Sequence, residues 1–223
     1  MSIIHSFTST MVNRFESIQA VVIFGSYARG EEKEGSDLDV YLIFEQLNPS
    51  LLLEVGNECR DLFARHKMEI SYPLCLTIDD FYSKYLNNGS TDPIKYFESI
   101  VTYGNLSLNP PNKEKVSEFY NEILIEAMLD LRYSLLRNNI SPKCLMQVVK
   151  LLVIALKLER YLTTSQYPKT LPELRHSLKD TNAEIIPIWF QNHGLFLENM
   201  NQSRENVISQ LFSILHKLQQ HYS

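Results

Sequence analysis

The sequence predicts an α+β protein: a small mixed-sheet domain over residues 1–110, followed by an all-helical up-and-down bundle over residues 111–223. Three observations carry this expectation. Short apolar runs at 20–24, 37–44 and 67–76 alternate with helical patterns in the first half of the chain. The break Asn109-Pro110-Pro111-Asn112 ends that alternation. Beyond it, every periodic segment has helical spacing.

The elements follow in order. Ile3, Ile4, Phe7, Met11, Phe15 and Ile18 sit at helical spacing and predict a helix over 3–18. Strand one is expected at 20–24 and strand two at 37–44, where Val40, Leu42 and Phe44 alternate with two aspartates. Pro49 opens a helix to about His66, with Leu52, Val55, Cys59, Leu62 and Phe63 on its apolar side. Strand three is expected at 67–76. Thr77 with Asp80 three residues on reads as a capping-box-like helix start. The stretch 87–93 has loop chemistry, and a short helix is expected at about 94–101. In the second half, helices are expected at 113–138, from Ser141-Pro142 to about Leu162, from Leu171-Pro172, at 183–198 with Pro187 as an interruption, and at 203–221. There is no internal repeat and no low-complexity tract.

Composition narrows the function classes. The chain has 223 residues, 44% hydrophobic and 21% charged, with a net charge of -5. A deficit of positive charge argues against a long nucleic-acid track. The longest apolar run, Leu151–Leu156, is far short of a membrane span. Cys59, Cys75 and Cys144 show no short metal spacing and form no closed disulfide set. The six histidines show no metal spacing either. The N-terminus lacks a basic segment followed by an apolar one, so the expected location is the cytoplasm.

The chemistry concentrates in residues 20–44. An apolar strand ends in Gly25-Ser26, and ten residues later Asp37-Leu38-Asp39 opens the next apolar run. Carboxylates at i and i+2 of a strand share a face. Side by side they repel, unless a cation lies between them. A glycine lets backbone approach a phosphate, and the Ser26 hydroxyl and the amides that follow can donate to phosphate oxygens. Glu69 on strand three is the natural third carboxylate. A Mg²⁺ site beside a phosphate-binding turn is thus expected, the arrangement that nucleotidyl transfer needs. Arg29 either contacts phosphate or braces the loop. The run Glu31-Glu32-Lys33-Glu34 is expected to be a solvated loop, and Lys150 and Lys157 to be solvated.

Gly25-Ser26, ten residues, Asp37-Leu38-Asp39, and Glu69 within Lys67-Met-Glu-Ile-Ser71 resemble the signature of the polymerase-β superfamily of nucleotidyltransferases. The form Gly-Ser-Tyr-Ala-Arg-Gly is similar to small bacterial members: antibiotic nucleotidyltransferases and the minimal ones of toxin–antitoxin pairs. The helical half, in Glu126–Asn138 and Ala155–Leu178, more loosely resembles the bundle of kanamycin-type enzymes. The resemblance implies Mg²⁺-dependent transfer of AMP from ATP to a hydroxyl acceptor in a cleft between the domains, with release of pyrophosphate. Asp37, Asp39 and Glu69 would be catalytic and metal-binding; Gly25, Ser26 and Arg29 would bind nucleotide. The general base is Glu69, Glu126 or Asp130. A small aminoglycoside-like acceptor is expected, with two alternatives: a protein acceptor, or a nucleotide-binding module without catalysis. The resemblance further implies a homodimer as an option. Arg175-His176 are adjacent and do not form the ribonuclease motif of the toxin partners.

Overall fold

The computed structural model describes residues 2–82, 93–108, 110–137, 140–179 and 181–220. They fall into two compact units, Met1–Pro111 and Asn112–Ser223.

The first unit is built on a four-stranded mixed sheet. Its elements are α1 (Ile3–Arg14), β1 (Ile18–Phe24), α2 (Gly25–Arg29), β2 (Asp39–Phe44), α3 (Pro49–His66), β3 (Leu74–Thr77), α4 (Ile78–Asp80), α5 (Pro93–Phe97) and β4 (Ile100–Tyr103). The strand order is β3-β2-β1-β4. β1 pairs antiparallel with β2 and β4, and β2 pairs parallel with β3.

The central strands are covered on both faces. On one face Val21, Ile23, Leu38, Val40, Leu42 and Phe44 pack with Phe7 and Met11 of α1 and with Val55, Cys59, Leu62 and Phe63 of α3. On the other, Ala20, Val22, Tyr41 and Ile43 pack with Leu76 and Phe81. Fully burying each such side chain contributes about 1.5–3 kcal/mol. Burial on both faces explains why β2 reads as a continuous apolar run after Asp39 instead of a clean alternation.

Several boundaries differ from the sequence expectation. α1 stops at Arg14, with Phe15 as its extended C-cap, so Ile18 belongs to the sheet. Strand three is shorter than 67–76. Lys67 takes a left-handed conformation (φ 54°) as the C-cap of α3, and Pro73, which has no N–H to give a ladder, precedes the paired residues. Leu52, expected on the apolar side of α3, is exposed. The predicted helix at 94–101 is the shorter α5, and β4 follows it, a strand the sequence pattern did not announce. Thr77 and Asp80 form the capping box as expected. Most of the loop expected at 87–93 lies outside the described residues.

The second unit is helical in its described residues: α6 (Lys113–Leu136), α7 (Pro142–Thr164), α8 (Leu171–Ser177), a 3-10 turn (Asn182–Glu184), α9 (Ile185–Gln191) and α10 (His193–Gln220). Ser141 caps α7 through its hydroxyl, with Pro142 in the first turn. Pro187 does not interrupt a helix. It lies in the first turn of α9, where no N–H is required, and the break falls instead at Asn192. α10 is kinked at Ser203 (φ -157°, ψ 90°), whose hydroxyl accepts from the Asn206 amide, so the start expected at 203 marks the second half of this element. Lys157, expected in solvent, is buried; its ammonium donates to the Lys169 carbonyl at 2.6 Å and lies 5.7 Å from the Tyr167 ring centroid. Among the described residues, no helix is long and apolar enough to cross a membrane.

Candidate active site

The antiparallel register of β1 and β2 sets Phe24 opposite Asp39, so the chain passes from strand into Gly25 directly beside that carboxylate. Gly25 has φ +73°. A Cβ built on it would overlap the Asp39 carboxylate and stand 3.2 Å from its Cγ. Glycine is required twice here, once by the left-handed backbone and once by the space the carboxylate takes. Asp39 shares the side of the sheet that bears Tyr41, because Leu38 and Val40 are buried in the opposite core. The Phe24 ring stacks on Tyr41 at 4.4 Å beneath this corner.

α2 runs Gly25–Arg29 and ends at Gly30, in a left-handed conformation (φ 67°). The Glu31 amide donates to the Ser26 carbonyl at 3.0 Å, closing the turn. The Ser26 hydroxyl has no protein partner among the described residues and is half-buried. Burial, then the Glu32 and Asp37 carboxylates, push the Tyr27 phenol above its ordinary value. Asp37 itself is exposed and precedes the first residue of β2.

Arg29 is held by two carboxylates. Its Nε donates to Glu31 at 2.8 Å and its Nη1 to Glu98 at 2.6 Å. Burial opposes its charge, but Glu98 and Glu31 outweigh that and hold its pKa above the usual arginine value. Glu98, 6% exposed, lies between α5 and β4, so the ion pair ties the turn to the edge of the sheet.

Glu69 is exposed and lies in the irregular stretch between α3 and β3 instead of in a strand. From that stretch it is Ser71 that reaches the aspartate segment, donating from Oγ to the Leu38 carbonyl at 2.9 Å. Among the described residues, no three His, Cys, Asp or Glu side chains stand close enough together to hold a metal ion. The carboxylate oxygens of Asp37 and Asp39 are hard donors of the kind a Mg²⁺ ion takes, and the Asp39 carboxylate lies against Gly25 at the start of the Gly-Ser turn. On α6, Glu126 is exposed and Asp130 half-buried.

Sequence reasoning missed three residues of this corner. Lys95 of α5 holds its ammonium 5.7 Å from the Phe24 ring centroid and 5.8 Å from that of Tyr41, on the face where Asp39 emerges. Ser71 carries no sequence mark that sets it above Glu69, since its bond goes to the Leu38 carbonyl of a distant segment. Glu98 carried a readable signal, a lone carboxylate inside the apolar stretch 96–101, which in a folded chain calls for a buried cationic partner.

Residues 8–79 match the family model described as "Polymerase beta, Nucleotidyltransferase". The matched segment holds Gly25, Ser26, Asp37, Asp39 and Glu69, and this match supports nucleotidyltransferase activity for the first unit. No curated protein matches the chain. Among solved structures, spectinomycin adenyltransferase AAD(9) from Enterococcus faecialis, with ATP and spectinomycin, is similar in fold: TM-score 0.52 and 13% identity, over 97% of this chain and 98% of that one.

Proposed function

We propose that the protein transfers AMP from ATP to a hydroxyl of a small-molecule acceptor of the aminoglycoside type and releases pyrophosphate. The observation that carries this reading is the Asp39 carboxylate lodged against Gly25, at the junction of β1 with the Gly-Ser turn. The full-length likeness to a protein seen with ATP and spectinomycin supports the choice of nucleotide and acceptor. Dependence on ATP fits a cytoplasmic enzyme.

In this proposal Asp37 and Asp39 hold Mg²⁺, which when bound neutralises charge on the phosphates and on the leaving pyrophosphate. Ser26 donates from its hydroxyl to a phosphate oxygen, while Gly25 keeps side-chain bulk away from the triphosphate. Arg29 positions α2 through its ion pair with Glu98. Glu69, exposed in the stretch before β3, takes the proton of the acceptor hydroxyl in this reading. The reaction balances as one bond formed from acceptor oxygen to α-phosphorus and one broken to the β,γ-pyrophosphate.

The test is pyrophosphate release by the purified protein with Mg²⁺, each of the four NTPs, and a panel of cationic antibiotics including spectinomycin. Acceptor-dependent release with ATP, absent in Asp37→Asn/Asp39→Asn, is expected. Absence of release across the panel with ATP binding intact would overturn the small-molecule reading and direct the search to a protein acceptor.

A further inference from the structure

The helical unit has the opposite charge balance from the rest of the chain. Residues 112–223 hold 13 Lys and Arg against 11 Asp and Glu, within a protein of net charge -5. Two of its lysines and a histidine meet at one cavity of about 590 Å³, formed by α7, the end of α9 and the start of α10. Lys143 and Lys150 lie seven residues apart on one face of α7, and His193 is the first residue of α10. None of the three is paired with a carboxylate among the described residues. Lys143 also lines a neighbouring cavity where Asp130 is found, but the lining of the larger one contains no carboxylate.

The floor of this cavity is apolar. Met146, Phe190 and Phe196 line it, with the exposed Leu197 at its rim. Phe196 is 1% exposed and held edge-on by Trp189 at 5.6 Å, so the floor is a fixed surface. Its volume falls in the usual range for small-molecule sites. Exposed lysines around an apolar floor complement a ligand that brings both an apolar body and a negative charge.

We infer that this cavity binds a small amphipathic anion, with an aromatic or acyl body against Met146, Phe190 and Leu197 and a carboxylate, sulfonate or phosphate held by Lys143, Lys150 and His193. Every group it uses belongs to the helical unit, and it requires neither nucleotide nor the Asp37/Asp39 site.

The probe is 8-anilinonaphthalene-1-sulfonate, titrated into the full-length protein without nucleotide, metal or antibiotic and followed by fluorescence. Its uncharged analogue N-phenyl-1-naphthylamine serves as the parallel probe. One saturable site is expected, weakened roughly five- to tenfold for the sulfonate in Lys143→Gln/Lys150→Gln and unchanged for the neutral probe. Leu197→Glu, at an exposed rim position, is expected to weaken the sulfonate while leaving far-ultraviolet circular dichroism unaltered. Equal sulfonate affinity in native and variant proteins would overturn the assignment, as would binding without saturation. Because no nucleotide is present, failure here leaves the transferase reading untouched, and failure of transfer leaves this one untouched.

Discussion

Gly25→Ala separates the two demands made on that glycine, because Gly30 offers a matched control. Both residues have left-handed backbones, φ +73° and +67°. A Cβ on Gly30 meets nothing within 4 Å, so Gly30→Ala carries the conformational cost alone, about 1 kcal/mol. A Cβ on Gly25 also overlaps the Asp39 carboxylate, which must move, adding about 1–3 kcal/mol. Total destabilisation by Gly25→Ala is then about 2–4 kcal/mol in urea unfolding. Displacement of Asp39 by an ångström is expected to lower turnover by about 100-fold. Asp39→Ala supplies the cross-check: it keeps only the Asp39 Cβ, 3.5 Å from the new methyl, an ordinary contact. In the double variant Gly25→Ala/Asp39→Ala the extra penalty should vanish, giving a coupling energy of about 1–3 kcal/mol. Equal destabilisation by Gly25→Ala and Gly30→Ala, or full pyrophosphate release by Gly25→Ala, would refute the placement of Asp39 against this glycine.

Three further predictions rest on buried groups. Arg29→Met removes the 2.6 Å ion pair to the buried Glu98 and should cost about 2–4 kcal/mol by urea titration, while Arg29→Met/Glu98→Gln recovers part of that loss. Burial pushes the Cys59 thiol up to about 12 and the Cys75 thiol up to about 11, from an ordinary value of 9.0. Both folded values exceed the unfolded one, so the stability they contribute is complete below pH 9 and is lost as pH rises toward 11–12. Urea midpoints should therefore fall above pH 9, and the fall should flatten in Cys59→Ala/Cys75→Ala. Lys157→Met removes the donor to the Lys169 carbonyl and should lower stability by about 1–3 kcal/mol, whereas Lys150→Met, at an exposed site, should change the melting midpoint little.

The parts of the fold legible in the sequence are those encoded locally. Asn48, Thr77, Ser141 and Thr170 cap helices through their own side chains, and Pro49, Pro142 and Pro172 occupy first turns, so these starts need no tertiary information. The turn at Gly25 is likewise readable, because glycine directly after an apolar strand marks a backbone position that a side chain would not fit. What escaped depended on partners distant in sequence. β4 is four residues long and takes its strand character from pairing with β1. Glu69 reads as a strand position by alternation, yet the left-handed Lys67 and the donorless Pro73 on either side keep it out of the ladder. Lys157 looked like any helix-surface lysine until α7 packed it beneath Tyr167.

The unannounced strand also bears on the site. Arg29 holds the C-terminal end of α2, and its strongest partner, Glu98, is presented by the turn between α5 and β4. β4 pairs with β1 through Val21, Val22 and Ile23, the same residues that fix β2 on the other edge. A one-residue slip of β1 would exchange the Val21/Ile23 face for the Ala20/Val22 face, and since both faces are buried against different partners, neither would fit. The register Phe24↔Asp39 is thereby held from two sides, by core packing along β1 and by the Arg29–Glu98 pair beyond its end. Gly104, at φ +81°, closes the arrangement: a Cβ there would collide with the Gln19 carbonyl, so β4 can return along β1 only with glycine at that position. The position of one carboxylate thus depends on a glycine and a glutamate more than fifty residues downstream, and Gly104→Ala should weaken catalysis through Asp39 while touching no part of the site.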